Sequence, residues 1–229
     1  MIIKKIKNYK SLLSIMKKKC KWHFDPQKKS KDAFYVGRFN LTTPTIKKIV
    51  KSLNNTKLES CISIFQSDKK NYKKATIAWT KMDSIQRGYN ESNTLMKQII
   101  YNDEKKMPIW VKKIIKSSCL NKAYLSINMN PPGSINPWHF DSYQKIKNKY
   151  TLSKNQRIVR LLVFVKPWHW GHFSQVGNNV ITHWKSGDCY TWDFQKYHLA
   201  SNSGIVNRYV MSITGITEKK LKNIRIKKN

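Results

Sequence analysis

Acidic residues are scarce in this chain. Asp and Glu together number 12 against 45 Lys and Arg, which gives a formal net charge of +33. Only six of those 45 basic residues are Arg, whereas evolved contacts with nucleic acid favour the bidentate guanidinium of Arg. We therefore attribute most of the charge to composition. A lysine-rich surface that binds a polyanion such as nucleic acid stays open as the alternative.

Cysteines are also few, and none of them forms a CxxC pair. The four cysteines are Cys20, Cys61, Cys119 and Cys189. This wide spacing excludes the disulfide framework of a small secreted domain and favours free thiols in a reducing compartment. We therefore expect an intracellular, cytoplasmic protein.

Long hydrophobic runs are missing as well. No stretch approaches the roughly 18 apolar residues that a transmembrane helix needs. Lys4, Lys5 and Lys7 interrupt the apolar N-terminus, so a signal peptide is not expected. The sequence therefore predicts no transmembrane segment.

The length and composition of the chain fit one globular domain. Its 229 residues are 40% hydrophobic and 12% aromatic, which is enough for a substantial core. We predict a basic N-terminal helix and connector over residues 1–33, a main domain over 34–216, and a basic tail over 217–229 that frays. The apolar stripe of residues 1–22 predicts a helix docked on the domain, with a membrane-interface helix as the alternative.

The first half of the main domain predicts mixed helices and strands. Residues 34–41 alternate like a strand, and Thr43-Pro44 starts a helix. Ser92 is predicted to cap a second helix and Pro108 to open a third. Two further short strands are predicted at 61–65 and 75–79.

From about residue 122 the sequence predicts a β-barrel. Short alternating segments are separated by turn residues such as those at 131–133 and 177–179. This spacing predicts a jelly roll, or double-stranded β-helix, over about 122–216, with N-terminal helices packed on it in an α+β fold. The predicted strands are 123–129, 139–141, 157–165, 172–176, 180–184, 189–192, 197–201 and 207–215.

Three side chains in this barrel are candidate metal ligands. His139 and Asp141 are two residues apart, so on a strand both point to the same face. His198 begins a later predicted strand and completes a set of two imidazoles and one carboxylate, which holds Fe(II) with coordination positions left open. The rivals for the third position, which we favour less, are His169, His172 and His183.

Arg208 lies ten residues after His198 and distinguishes an oxygenase site from other kinds of metal site. A four-coordinate structural zinc does not need such a cation, whereas an anionic co-substrate buried beside iron must be paired. Ser212 shares a strand face with Arg208 and is predicted to add a hydroxyl donor. The alternative is that Arg208 pairs with an acid at the rim of the barrel.

The segment 126–215 resembles the Fe(II)/2-oxoglutarate-dependent dioxygenases through His139-x-Asp141, His198 and Arg208, with Pro132-Gly133 ahead of the first pair. The run HWKSGDCYTWDFQKYHLASNSGIVNRYVMSITG is similar to uncharacterised phage and viral members, which adds the infected host cell as a location. The resemblance implies that His139, Asp141 and His198 are catalytic residues that bind Fe(II), and that Arg208 binds the far carboxylate of 2-oxoglutarate. It also implies an enzyme that consumes 2-oxoglutarate and O2 to hydroxylate a substrate.

The chain departs from nucleic-acid dealkylases of the same superfamily. Those enzymes carry Asn-x-Tyr-x-Pro-Gly ahead of the His-x-Asp pair, whereas this chain has an Asn in the Tyr position of the run that begins at Asn128. Their second Arg, six residues after the first, is Thr214 here, and the Arg-x-Ser of many members becomes Arg-x-Val at Val210. Asn128 is still predicted to touch 2-oxoglutarate. We therefore favour hydroxylation of a peptidyl or small-molecule substrate, with a nucleic-acid-modifying oxygenase or dealkylase as the alternative.

A second resemblance supports the barrel more than an activity. The spacing of Gly187, His198 and Asn202 is similar to the second cupin motif, so a non-catalytic cupin-like binding protein is a further alternative. Arg160 is predicted to form a salt bridge at a sheet edge, with substrate contact as the alternative. Tyr143 and Gln144 are candidates to line the mouth. Most tryptophans of the region are predicted to pack, and one or two to stack on substrate; they are Trp138, Trp168, Trp170, Trp184 and Trp192.

Overall fold

The computed structural model describes residues 31–61, 88–141, 143–193 and 196–226. Within them two antiparallel sheets pack face to face as a jelly roll, which confirms the predicted fold class. The seven-stranded sheet has the order β1-β9-β6-β11-β4-β3-β2, and the four-stranded sheet has the order β5-β10-β7-β8. The strands are β1 (Ala33–Arg38), β2 (Glu59–Ser60), β3 (Leu95–Tyr101), β4 (Asn121–Asn130), β5 (Ser134–His139), β6 (Arg157–Phe164), β7 (His172–Val176), β8 (Asn179–Ile181), β9 (Asp188–Trp192), β10 (His198–Asn202) and β11 (Arg208–Thr217).

The large sheet separates two cores because its strands alternate strictly. In β11, Met211 and Ile213 are fully buried against one face, while Arg208, Val210 and Ser212 point to the other. The first face packs on helices, and the second faces the small sheet across the interior of the barrel. Since the side-chain period of a strand is two, this alternation decides which residues can reach a site inside the barrel.

Helices cover the outer face of the large sheet, as predicted. Helix α1 (Thr43–Ser52) begins where the Thr42 hydroxyl accepts a hydrogen bond from the Thr45 backbone N–H, with Pro44 in its first turn. Helix α2 (Ile109–Ser117) follows Pro108, and a short helix α3 (Gln144–Lys149) follows β5. None of the described helices is long and apolar enough to cross a membrane.

The helix predicted after Ser92 is wrong, because that segment is strand β3. The apolar residues of this segment are two adjacent pairs, 95–96 and 99–100. This spacing fits one face of a helix and also a strand that is buried on both faces. Tertiary pairing decides between the two: β3 adds to the edge of β4, with Ile99 opposite Ile127 and Tyr101 opposite Leu125. The β-branched Ile99 and Ile100 suit the pleated surface.

The predicted fraying after residue 217 is also wrong for the described part of the tail. Strand β11 runs to Thr217, and a 3-10 turn over Leu221–Asn223 brings the chain back onto the outer core. Ile224 is only 1% exposed, and the Ile226 side chain lies against Gly37 of β1. The tail therefore packs on the outer core up to Ile226, the last described residue.

Other strand boundaries shift by a few residues. The predicted strand 139–141 is instead β5, which ends at His139, and the predicted strand 180–184 is β8. The predicted helix over 1–22 and the strand at 75–79 lie outside the described residues, as does all but the first residue of the predicted strand 61–65.

Replacing Ile224 by Ala is expected to lower the free energy of unfolding by about 2–4 kcal/mol, because it leaves a cavity in the outer core. The matched control is Ile205→Ala at a position that is 84% exposed, which should change stability by less than about 0.5 kcal/mol. Urea denaturation measures both. Equal effects of the two variants would show that the tail does not pack.

Candidate functional site

Strand pairing brings His139 and His198 face to face. His139 is the last residue of β5 and His198 the first of β10, and the two are direct partners in the ladder between these strands. A register shift follows at once, because the next pair is Ala200 with Asn136. The extra residue on β5 forms a β-bulge, which bends this strand next to the point where the imidazoles of His139 and His198 meet.

Asp141 joins the two histidines from just beyond the end of β5. One possible ligand atom from each of His139, Asp141 and His198 lies within 4.8 Å of the others, and all three residues are buried. The predicted pair therefore reaches one point, although Asp141 does so from the connection after the strand and not from the strand itself. Among the described residues this is the one cluster of its kind.

Backbone carbonyl groups fix how the two imidazoles are turned. The Nδ1 atom of His139 lies 2.8 Å from the Pro137 oxygen, and that of His198 lies 3.1 Å from the Lys196 oxygen. An Nδ1–H donor to each carbonyl puts the lone pair on Nε2. In His198 that Nε2 lies 3.8 Å from Oδ2 of Asp141. The rings thus present basic nitrogens towards the carboxylate.

The two oxygens of Asp141 have different surroundings. Oδ1 forms a buried ion pair with Nη1 of Arg160, and the Tyr143 hydroxyl also donates to this carboxylate. Oδ2 is buried without a hydrogen-bond partner. A carboxylate oxygen that is removed from water and left unpaired is costly unless something binds it.

Burial and neighbouring charges set the protonation states of the cluster. Burial lowers the pKa of His139 to about 3, and it also lowers the pKa of His198. Burial alone would raise the pKa of the Asp141 carboxyl group, but the positive charge of the Arg160 guanidinium more than offsets this effect, so the pKa is lowered. Two neutral imidazoles and one ionised carboxylate are the forms in which these groups bind metals.

Arg208 is a buried cation without an acidic partner among the described residues. It is 3% exposed; Nη2 donates to the Ser174 hydroxyl at 2.6 Å and Nη1 to the Asn130 amide oxygen at 3.3 Å. Nε has no hydrogen-bond partner, and burial lowers the pKa of Arg208 to about 10. The alternative of a rim salt bridge therefore finds no support in the described part of the chain.

Aromatic side chains form the walls around this guanidinium. The ring centroids of Phe164 and Trp184 each lie 5.7 Å from its central carbon, and the two rings stack on each other at 3.8 Å. Trp192 lies 4.9 Å from His198 by ring centroid. Walls of this kind exclude water and strengthen electrostatic interactions inside the barrel.

Asn128 and Ser212 lie on the same interior face as Arg208. Asn128 is paired with Val210, and its amide oxygen accepts a hydrogen bond from Gln98 at 3.0 Å. Ser212 is buried farther along β11. Among the described residues, the hydrogen-bond partners of the guanidinium are Ser174 and Asn130, which sequence reasoning missed. Asn130 was two residues from the predicted Asn128, whereas Ser174 comes from the other sheet and left no sequence signal.

The rival histidines lie away from the cluster. His172 is buried, with Nε2 3.0 Å from the Val206 oxygen, and exposed His183 stacks on Trp168 at 4.2 Å. Nδ1 of His169 lies 3.3 Å from the Trp170 oxygen. Tyr143 is buried beside Asp141, so it supports the cluster and does not line an open mouth, while the side chain of Gln144 is outside the described structure.

No family model and no curated protein sequence matches this chain. Among solved structures, a viral collagen prolyl hydroxylase of Paramecium Bursaria Chlorella virus-1 in its 2OG complex matches with 15% identity and a TM-score of 0.37, covering 53% of this chain and 80% of the other. A predicted oxalate decarboxylase of Thermotoga maritima matches with 11% identity and a TM-score of 0.33, over 54% and 82%. A Cupin 2 conserved barrel domain protein of Salinispora arenicola matches with 9% identity and a TM-score of 0.32, over 54% and 76%. Similarities at this level do not identify an activity, so the chemistry must come from the site's own residues.

Replacing Arg208 by Met is expected to raise the free energy of unfolding by about 1–2 kcal/mol, because a buried charge without an acidic partner costs stability and Met fills a similar volume. Urea denaturation of the ligand-free protein measures this. Arg157→Met, at an exposed position of β6, is the control and should stay within about 0.5 kcal/mol. A marked loss of stability in Arg208→Met would mean that the charge is already compensated in the folded chain.

Proposed function

We propose that this chain is an Fe(II)- and 2-oxoglutarate-dependent oxygenase. The observation that carries the proposal is the pairing, inside one barrel, of a buried His-Asp-His cluster with a buried guanidinium that has no acidic partner among the described residues. A metal site alone explains the cluster and leaves Arg208 unexplained. A dianionic co-substrate that reaches from the metal to Arg208 accounts for both.

The donor set fits Fe(II) better than a structural zinc. Two imidazoles and one carboxylate form a three-ligand face that leaves coordination positions open, whereas structural zinc takes four protein ligands. His139, His198 and Oδ2 of Asp141 would hold the ion, and the unpartnered Oδ2 has the lone pairs to do so. When bound, Fe(II) with O2 and 2-oxoglutarate supplies the oxidising chemistry of a hydroxylation.

Arg208 would bind the far carboxylate of 2-oxoglutarate. Its Nε is without a partner, and an incoming carboxylate would supply the missing acceptor and neutralise the charge. Ser174 and Asn130 already hold the two Nη atoms, so the guanidinium is oriented before the ligand arrives. Ser212 and Asn128, on the same face, are proposed as further polar contacts of the co-substrate.

The walls of the barrel contribute by excluding water. Phe164, Trp184 and Trp192 bury the space around Arg208 and beside His198. In such a low-dielectric interior the attraction between a guanidinium and a carboxylate is much stronger than in water. Binding at Arg208 would therefore favour an anion over a neutral molecule.

For the prime substrate we propose a peptidyl group or a small molecule. Thr214 takes the place of the second arginine that nucleic-acid dealkylases of this superfamily carry, and this argues against a nucleobase. Contact with nucleic acid through the lysine-rich surface stays a prediction from composition.

The purified protein is expected to convert 2-oxoglutarate into succinate only when Fe(II) is supplied, and Asp141→Ala or His198→Ala should abolish this turnover, because each removes one of three ligands. Arg208→Met should weaken binding of 2-oxoglutarate to the Mn(II)-loaded protein by at least about 30-fold, since losing one partner of a buried charge pair costs about 2 kcal/mol or more. Calorimetry without O2 measures this binding.

Arg157→Met is the matched control and should leave both turnover and binding as in the wild type. Turnover that persists in Asp141→Ala, or binding that ignores Arg208→Met, would contradict the proposed function.

A further inference from the structure

Arg160 makes more contacts at the cluster than a surface salt bridge requires. It lies on β6 with its side chain towards the interior, and its strand partner on β11 is Thr214. Nη1 is paired with Oδ1 of Asp141, Nε donates to the Thr214 hydroxyl at 3.2 Å, and the guanidinium carbon lies 5.3 Å from the centroid of the Tyr143 ring. The Arg160 side chain is 24% exposed, whereas that of Asp141 is 5% exposed.

These contacts fix both the guanidinium and the carboxylate. A planar guanidinium held on one nitrogen by Thr214 and flanked by the Tyr143 ring has little freedom to rotate. It therefore keeps one oxygen of Asp141 engaged and turns the other towards the imidazoles, with Oδ2 3.8 Å from Nε2 of His198. The Tyr143 hydroxyl, which also donates to Asp141, acts in the same sense.

We infer that Arg160 is a positioning residue that restricts Asp141 to binding a metal through one oxygen. The inference rests on the proposed function. A carboxylate can also chelate a cation through both oxygens. With Oδ1 held by Arg160, only Oδ2 is offered.

Binding through one oxygen of Asp141 would leave more coordination positions of the metal open than binding through both. An ion that prefers six ligands keeps three positions open when His139, His198 and Asp141 supply one atom each, and two when Asp141 supplies both oxygens. A co-substrate that chelates through a carboxylate and its neighbouring keto oxygen needs two positions, and O2 needs one. Arg160 would therefore preserve the third position.

The positive charge of Arg160 also favours binding of the co-substrate. Arg160 balances Asp141, so the ligand set with its ion pair is neutral before a divalent ion enters. The added positive charge favours a dianion over neutral competitors such as water. Removing Arg160 would therefore weaken binding of the co-substrate more than binding of the metal.

The test compares Arg160→Gln with the wild type, using Co(II) as the metal probe and 2-oxoglutarate as the ligand without O2. Binding of Co(II) should stay within about tenfold of the wild type, its visible absorption should change because the second oxygen of Asp141 replaces a water among the six ligands, and affinity for 2-oxoglutarate should fall by about tenfold or more. Arg160→Lys should lie between the two, because an ammonium can still hold Oδ1 but cannot also reach Thr214.

Two further variants separate positioning from folding. Arg157→Gln removes the same charge from an exposed position of the same strand and should match the wild type. Thr214→Val removes only the second anchor of Arg160 and should shift the Co(II) spectrum in the same direction by less. If Arg160→Gln is poorly folded, Thr214→Val and Arg160→Lys still decide the question.

An unchanged Co(II) spectrum together with unchanged 2-oxoglutarate affinity in Arg160→Gln would overturn the inference. So would complete loss of Co(II) binding, because Arg160 would then assemble the cluster instead of restricting one ligand. If the wild type binds Co(II) and 2-oxoglutarate but releases no succinate, the proposed oxygenase fails while the role of Arg160 is still decided by the spectrum. If the wild type binds no Co(II), both fail.

Discussion

Two arginines of the described residues point into the barrel with opposite surroundings, and the candidate site depends on that difference. Arg160 is paired with Asp141, and the pair raises the pKa of the arginine while lowering that of the acid. Arg208 has only Ser174 and Asn130 as hydrogen-bond partners in the described structure, and burial lowers its pKa. Because an uncompensated buried charge destabilises a fold, Arg160 is balanced by a group already present, whereas Arg208 is the cation for which we propose an anionic co-substrate.

The backbone around β10 has two special features, one at each end of the strand. The β-bulge lies next to the pair of His139 and His198, and the backbone oxygens of Pro137 and Lys196 orient the two imidazoles. At the other end of β10, the loop that leads into Arg208 passes so close to Gly171 that a Cβ there would lie 2.2 Å from the backbone nitrogen of Gly204. Gly171 also has a φ of 83°, which only glycine adopts without strain.

Sequence reasoning succeeded where one strand determines the outcome. The two-residue alternation of β11 predicts that Arg208 and Ser212 share a face. The His-x-Asp spacing also leads to the cluster, although Asp141 reaches it from beyond the end of β5. Sequence reasoning failed where pairing with another strand determines the structure. The spacing of the apolar residues does not distinguish β3 from a helix until it pairs with β4. In the same way, the acid that Arg160 contacts could not be identified before β6 was placed beside the end of β5. Ser174 was missed for the same reason.

The start of the described chain also contacts a residue beside the His-Asp-His cluster. Asp32, just before β1, accepts a hydrogen bond from the Asn178 backbone N–H at 2.9 Å and pairs with Lys196 at 2.7 Å. The carbonyl group of Lys196 is the one that faces Nδ1 of His198. A buried aspartate thus fixes the residue whose backbone orients an imidazole two positions later. The cluster is therefore held through Arg160 from the large sheet and through Asp32 from the edge, so its geometry is set before any ligand binds.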